Sequence, residues 1–124
     1  MPDNRPLSPH LQVYRLPITG LLSISHRIAG MLLSAGLLLF VYMLGAIAMG
    51  EGTYQHMQAF MDFWLCRWLY WGFVYALFFH LCHGIRHLIW DVGKTFDKAT
   101  LTGYAVIELF ASVALTMLTA FFLP

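Results

Sequence analysis

The tightest constraint in this sequence is the stretch from Ile28 to Met49, which carries no charged side chain. As a helix rising about 1.5 Å per residue, it is long enough to cross a hydrocarbon layer of about 30 Å. Two further apolar runs follow, and hydrophobic residues make up 60% of the chain against 10% charged. Soluble domains carry roughly 25% charged residues, so composition excludes that class. The sequence predicts an all-α membrane protein of one domain, residues 1–124, with three transmembrane helices at about 20–49, 60–89 and 102–123. Residues 50–59 and 91–101 are expected to be loops. A net charge of +1 leaves no footprint for nucleic acid.

Residues 1–19 contain Pro2, Pro6, Pro9 and Pro17, which break helix, and lack an early apolar core. They are expected to form a tail lying on a partner or along the membrane surface, with insertion left to the spans themselves. Basic residues set the orientation. Arg5, Arg15 and Arg27 precede the core of the first span, and Arg86, Lys94 and Lys98 flank the second loop; only Arg67 lies on the other side. The N-terminus is therefore expected inside and the C-terminus outside. Trp64, Trp68, Tyr70 and Trp71 read as an aromatic belt at the outer interface, with Asp62 and Arg67 snorkelling there. Of the two cysteines, Cys82 lies within an apolar run and is expected to be a buried free thiol.

The chemistry concentrates at the end of the second span. His80, His83 and His87 follow an i, i+3, i+7 spacing and share one helix face. His80 is the deepest in the apolar run. It suits an axial haem ligand, or a histidine bonded to a neighbouring helix. No facing histidine of similar depth exists in the chain, so a second haem ligand would come from another chain. His26, Arg27, Arg86 and His87 could neutralise haem propionates, Arg86 equally being an ordinary inner-side cation. Ser23 and Arg27, spaced i, i+4, offer donors for a quinone carbonyl; Ser23 could instead bond back to a helix carbonyl. Glu108, the one charge in the third span, is expected near the interface, snorkelling or protonated, or else handling protons. Zinc at His80, His83 and His87 is disfavoured because no cysteine or carboxylate completes the set, except Asp91. Three spans without an inverted repeat also disfavour a transporter.

Three motifs go further: Arg5-Pro6-Leu7-Ser8-Pro9-His10-Leu11-Gln12-Val13-Tyr14, then Ser23-Ile24-Ser25-His26-Arg27-Ile28-Ala29-Gly30, then His80-x-x-His83-Gly84-Ile85-Arg86-His87-Leu88-x-x-Asp91. Together they resemble the cytochrome b membrane-anchor subunits (C subunits) of succinate dehydrogenase, respiratory complex II, over the whole chain. The resemblance implies that His80 is the axial ligand of a haem b shared with a second small membrane-anchor subunit. It implies that Ser23 and Arg27 line a ubiquinone site, and that His26, Arg27 and His87 lie in the propionate region. His83 departs from some relatives, where an apolar residue stands, and is given no ligand role.

The implied function is to anchor a flavoprotein subunit and an iron–sulfur subunit to a bacterial inner membrane, rather than a mitochondrial one, as part of a succinate:ubiquinone oxidoreductase of the tricarboxylic acid cycle. The chain has no dinucleotide fingerprint or cysteine cluster, so it is not expected to be catalytic alone. The alternatives are the anchor of a fumarate reductase and a haem-free structural anchor.

Overall fold

The computed structural model describes residues 14–122; the expected tail contacts of residues 1–13 lie outside that range. The described chain is all-helical. Three helices are long and apolar enough to cross a membrane: α1 (Ile18–Ala48), α3 (Trp64–Asp91) and α4 (Lys98–Phe122). A shorter helix, α2 (Glu51–Met61), stands between the first two.

Helix boundaries follow local chemistry. Pro17 occupies the N-cap of α1 in an extended conformation, and its carbonyl accepts from the Gly20 N–H at 2.9 Å. Residues 50–59, expected to be a loop, are almost entirely helical. After Gly50, held at φ 99° between α1 and α2, no strong breaker follows. Bonds from Gln55 to Glu51 and from Gln58 to Tyr54, both 2.9 Å, support the turns, and buried Met57 fixes one face. The chain breaks again at Asp62–Phe63, so α3 starts at Trp64 rather than near residue 60. The Asp62–Arg67 pair there is 3.9 Å apart with both side chains in the open, a geometry that contributes little.

Gly93 terminates α3. At φ 77° it takes the left-handed conformation, and the Gly93 and Lys94 N–H groups reach back to the carbonyls of Trp90 (2.8 Å) and Ile89 (3.4 Å). This paired arrangement satisfies orphan carbonyls at a helix end. Asp97 caps α4, whose first residue, Lys98, stands four before the expected Thr102. Its carboxylate accepts from the Thr100 backbone N–H at 2.9 Å and from the Thr100 hydroxyl.

α3 is the central helix, packed against α1 on one side and α4 on the other. The buried core is small: Leu22, Ala29, Ala76, Phe79 and Ala105. Short side chains let the helices approach closely, as is usual where lipid gives no hydrophobic drive for helices to associate. A Cβ placed on Gly36 would come 3.0 Å from the Phe73 ring, so a larger residue at this crossing would have to push that ring back by a few tenths of an ångström. The polar hydroxyls of Ser34, Ser112, Thr116 and Thr119 bond to carbonyls of their own helices. Large side chains such as Leu38 and Phe110 stay exposed on the outer faces. Cys66 and Cys82 are free thiols, and Cys82 is half-buried rather than fully enclosed.

The bonds from Thr100 hold the Asp97 carboxyl below its ordinary value of about 3.8. A depressed folded value means that the cap supports α4 fully above the unfolded value. The support is lost as pH falls through the lower, folded one. Asp97→Asn should flatten this acid-side dependence, measured as hydrogen exchange of the Thr100 amide between pH 5 and the acid limit of folding.

Candidate functional site

The N-terminal half of α1, the C-terminal half of α3 and the start of α4 converge at one end of the bundle. There α1 and α3 place four imidazoles together. The His26 ring from α1 stacks on His80 of α3, centroids 4.0 Å apart and planes 18° from parallel. It also lies 4.5 Å from His83 and 5.7 Å from His87. Within α3, His83 and His87 meet edge to face at 5.0 Å. Gly30, one turn along from His26, makes room for this: a Cβ there would stand 3.2 Å from His80 Cε1.

Of the residues singled out from the sequence, His80, His26 and Ser23 are half-buried, while Arg27 and His87 are exposed. Among the described residues, neither Ser23 nor Arg27 forms a side-chain hydrogen bond or ion pair. The Nδ1 of His80 and the Nε2 of His26 are buried without a partner among the described residues.

One fully buried group is a residue given no role from the sequence. His83 is 0% exposed, and its Nδ1 lies 2.8 Å from Oε1 of Glu108. Glu108, expected near the interface, is instead enclosed at 4% exposure. Its other oxygen accepts from Arg86 at 3.0 Å. Arg86 is 3% exposed, donates also to the Leu101 carbonyl at 2.9 Å, and lies 4.7 Å over the Trp90 ring. Arg86, a candidate toward propionates from the sequence, turns its two terminal guanidinium nitrogens to α4. The signal was present but incomplete. His83 and Arg86 are i, i+3 on α3, and a lone acid sits in the next span, but nothing in the sequence shows that α4 turns Glu108 toward them.

The chemistry of this triad is directional. Arg86 balances the Glu108 carboxylate, so a neutral His83 donating Nδ1–H to Glu108 keeps the buried group free of net charge. That tautomer leaves the His83 Nε2 as a bare acceptor facing the other imidazoles, and this atom too is buried without a partner. The larger clefts lie elsewhere. One of about 850 Å³ is lined by Met43, Asp62, Arg67 and Trp71 at the opposite end, far from the histidines.

Fold and site together define a small helical membrane protein with three spanning helices and a histidine cluster at one end. The chain belongs to the succinate dehydrogenase/fumarate reductase transmembrane subunit family, whose model matches residues 1–119. It is 40% identical over 118 residues to the succinate dehydrogenase cytochrome b556 subunit of Paracoccus denitrificans, covering 94% of this chain and 89% of that protein. It is 39% identical over 115 residues to the mitochondrial succinate dehydrogenase cytochrome b560 subunit of Sus scrofa, covering 90% and 67%. The cytochrome b556 subunit of Rickettsia felis is 36% identical over 118 residues, covering 94% and 90%.

Breaking a buried ion pair by removing one partner costs about 3–5 kcal/mol, because the survivor is left uncompensated. Arg86→Leu and Glu108→Leu should each lower thermal stability in detergent by that order. The double variant should be clearly more stable than the sum of the two losses; a strictly additive result would contradict coupling.

Proposed function

We propose that this chain is the haem-bearing membrane anchor of a succinate:ubiquinone oxidoreductase in a bacterial inner membrane. It holds a flavoprotein subunit and an iron–sulfur subunit at the inner face and pairs with a second small anchor subunit. The observation that carries this reading is the meeting of two faces at one end of the bundle. His80 of α3 lies against the α1 turn that bears Ser23, His26 and Arg27. The cytochrome b subunits named above supply the reaction class.

The donor set suits a b-type haem on one side of the ring. His80 has an unpartnered buried nitrogen and a glycine-made space beside its ring. It would hold the iron, with His26, Arg27 and His87 toward the propionates. When bound, the haem supplies a one-electron redox centre.

The quinone is a substrate, and α1 carries the groups for it. The Ser23 hydroxyl and the Arg27 guanidinium stand one turn apart, and both can donate to a quinone carbonyl. The guanidinium also stabilises negative charge as the carbonyl oxygen gains electron density. No group in this chain could oxidise succinate, so its share is positioning and electrostatics. In the proposed topology the N-terminus, the histidine cluster and the loop after α3 face inside, in line with the basic residues.

Three outcomes check this reading. Arg27→Leu should cut quinone reduction at least tenfold while succinate oxidation with a soluble dye acceptor persists; equal loss of both would contradict a quinone role. His80→Ala should remove the b-type band from the dithionite-reduced minus oxidised spectrum of the purified complex. A reporter fused after Pro124 should score outside the cytoplasm.

A further inference from the structure

The end of the bundle opposite the histidines carries a concave site that the reading above does not use. All four helices build it. Its cleft of about 850 Å³ is walled by Met43 of α1, Met61 of α2 and Ala120 of α4, with Trp68 and Trp71 of α3. That size lies within the roughly 300–1,000 Å³ of small-molecule sites. Two charged side chains line the cleft: Asp62, at the break after α2, and Arg67, the fourth residue of α3. Their N···O approach is 3.9 Å, against about 2.7–2.9 Å for a charge-assisted hydrogen bond. The pair therefore does not saturate itself, and one cation and one anion stand side by side in the open.

Depth in the membrane decides what can reach these charges. α3 has 28 residues, a length of about 42 Å at about 1.5 Å per residue. Centred on a hydrocarbon core of about 30 Å, it leaves about 6 Å at each end among the headgroups. Arg67 lies about 5 Å in from its end of the helix, at the level of lipid phosphate and glycerol groups. Phe63, Trp64 and Trp68 beside it are exposed, as aromatic side chains at a membrane interface are. The molecule that meets this cleft is a lipid presenting its headgroup, with Met43, Met61 and Ala120 against the start of its chains.

Charge complementarity selects the headgroup. A guanidinium pairs with phosphate through parallel N–H donors, and a carboxylate accepts from a primary ammonium. In an ethanolamine headgroup two carbons join those two charges, a short reach that suits an arginine and an aspartate standing together. An anionic phosphoglycerol would satisfy Arg67 but gain nothing from Asp62, whose charge repels it. A quaternary choline has no N–H to give the carboxylate. We propose that this cleft binds one phospholipid of the phosphatidylethanolamine class, its phosphate on Arg67 and its ammonium on Asp62. The inference stands on the spans and the cleft, and uses neither the haem nor the quinone reading.

The test uses the protein purified in detergent with the subunits that accompany it, delipidated and then titrated with phosphatidylethanolamine, phosphatidylcholine or phosphatidylglycerol of matched chains. Native mass spectrometry gives the Kd of each lipid adduct. Other surfaces also bind lipid, so the difference between variants carries the result. Arg67→Gln should weaken the tightest phosphatidylethanolamine adduct about fivefold, and Arg67→Lys should restore part of that loss. Asp62→Asn should reduce the preference for phosphatidylethanolamine over phosphatidylglycerol about threefold. An unchanged Kd in Arg67→Gln would overturn the proposal. Wild-type binding of phosphatidylglycerol or phosphatidylcholine as tight as that of phosphatidylethanolamine would overturn the assignment of the ammonium to Asp62. Should Arg67→Gln fail to assemble, phenylglyoxal modification of the wild type decides. Phosphatidylethanolamine should shield Arg67 from the reagent in peptide maps, and equal modification with and without the lipid refutes the site.

Discussion

The bundle depends on a carboxylate that must not meet lipid alone. Glu108 lies inside the membrane-spanning part of α4 and reaches Arg86 and His83 of α3 at 3.0 and 2.8 Å. In a medium without water an isolated charge costs several kcal/mol, and two opposite charges in contact offset much of that cost only when their remaining groups are satisfied. Here Arg86 also finds the Leu101 carbonyl and the Trp90 ring, while its Nε and the His83 Nε2 have no partner among the described residues. The triad thus fixes the rotation of α4 against α3 far more narrowly than the small apolar core could. That core consists largely of alanines, whose interchange with neighbouring turns changes little.

Close approach of α1 is governed by a different device. Gly36 accepts the Phe73 ring and Gly30 accepts the His80 ring, two points six residues apart on one helix. The two glycines put the α1 backbone against aromatic rings of α3. This is why the His26 imidazole can lie over His80 instead of beside it. Both faces of α3 are therefore specified, one by absent side chains and one by charge.

Much of this was legible in the sequence. Uncharged runs of sufficient length predict three spans, and the fold has three helices long and apolar enough to cross a membrane. The boundaries that moved did so for local reasons: Asp97 caps α4 early, and the break at Asp62–Phe63 delays α3. Residues 50–59 read as loop because glycine and polar residues dominate, yet the run after Gly52 contains only helix-compatible residues. The gathering of His26, His80, His83 and His87 at one end follows from antiparallel spans and spacing. The burial of Glu108 and His83 does not. It depends on the rotational phase of two helices that are apolar around most of their circumference, and hydrophobic periodicity carries little information about that phase. The ordinary expectation for a single acid near a span end is the interface, and only its partners on another helix overturn it.

The placement of the triad also bears on how the chain is made. Arg86 is synthesised 22 residues before Glu108, so α3 leaves the ribosome carrying a cation whose partner does not yet exist. A lone arginine in a span resists transfer from the insertion channel into lipid. The pause would end only when α4 presents its carboxylate, and α3 and α4 would then leave the channel as a hairpin. The glycine stop at Gly93 and the early cap at Asp97 leave a short connection between them, which favours that joint release. In such a chain the pairing needed in the finished protein also sets the order of its biogenesis.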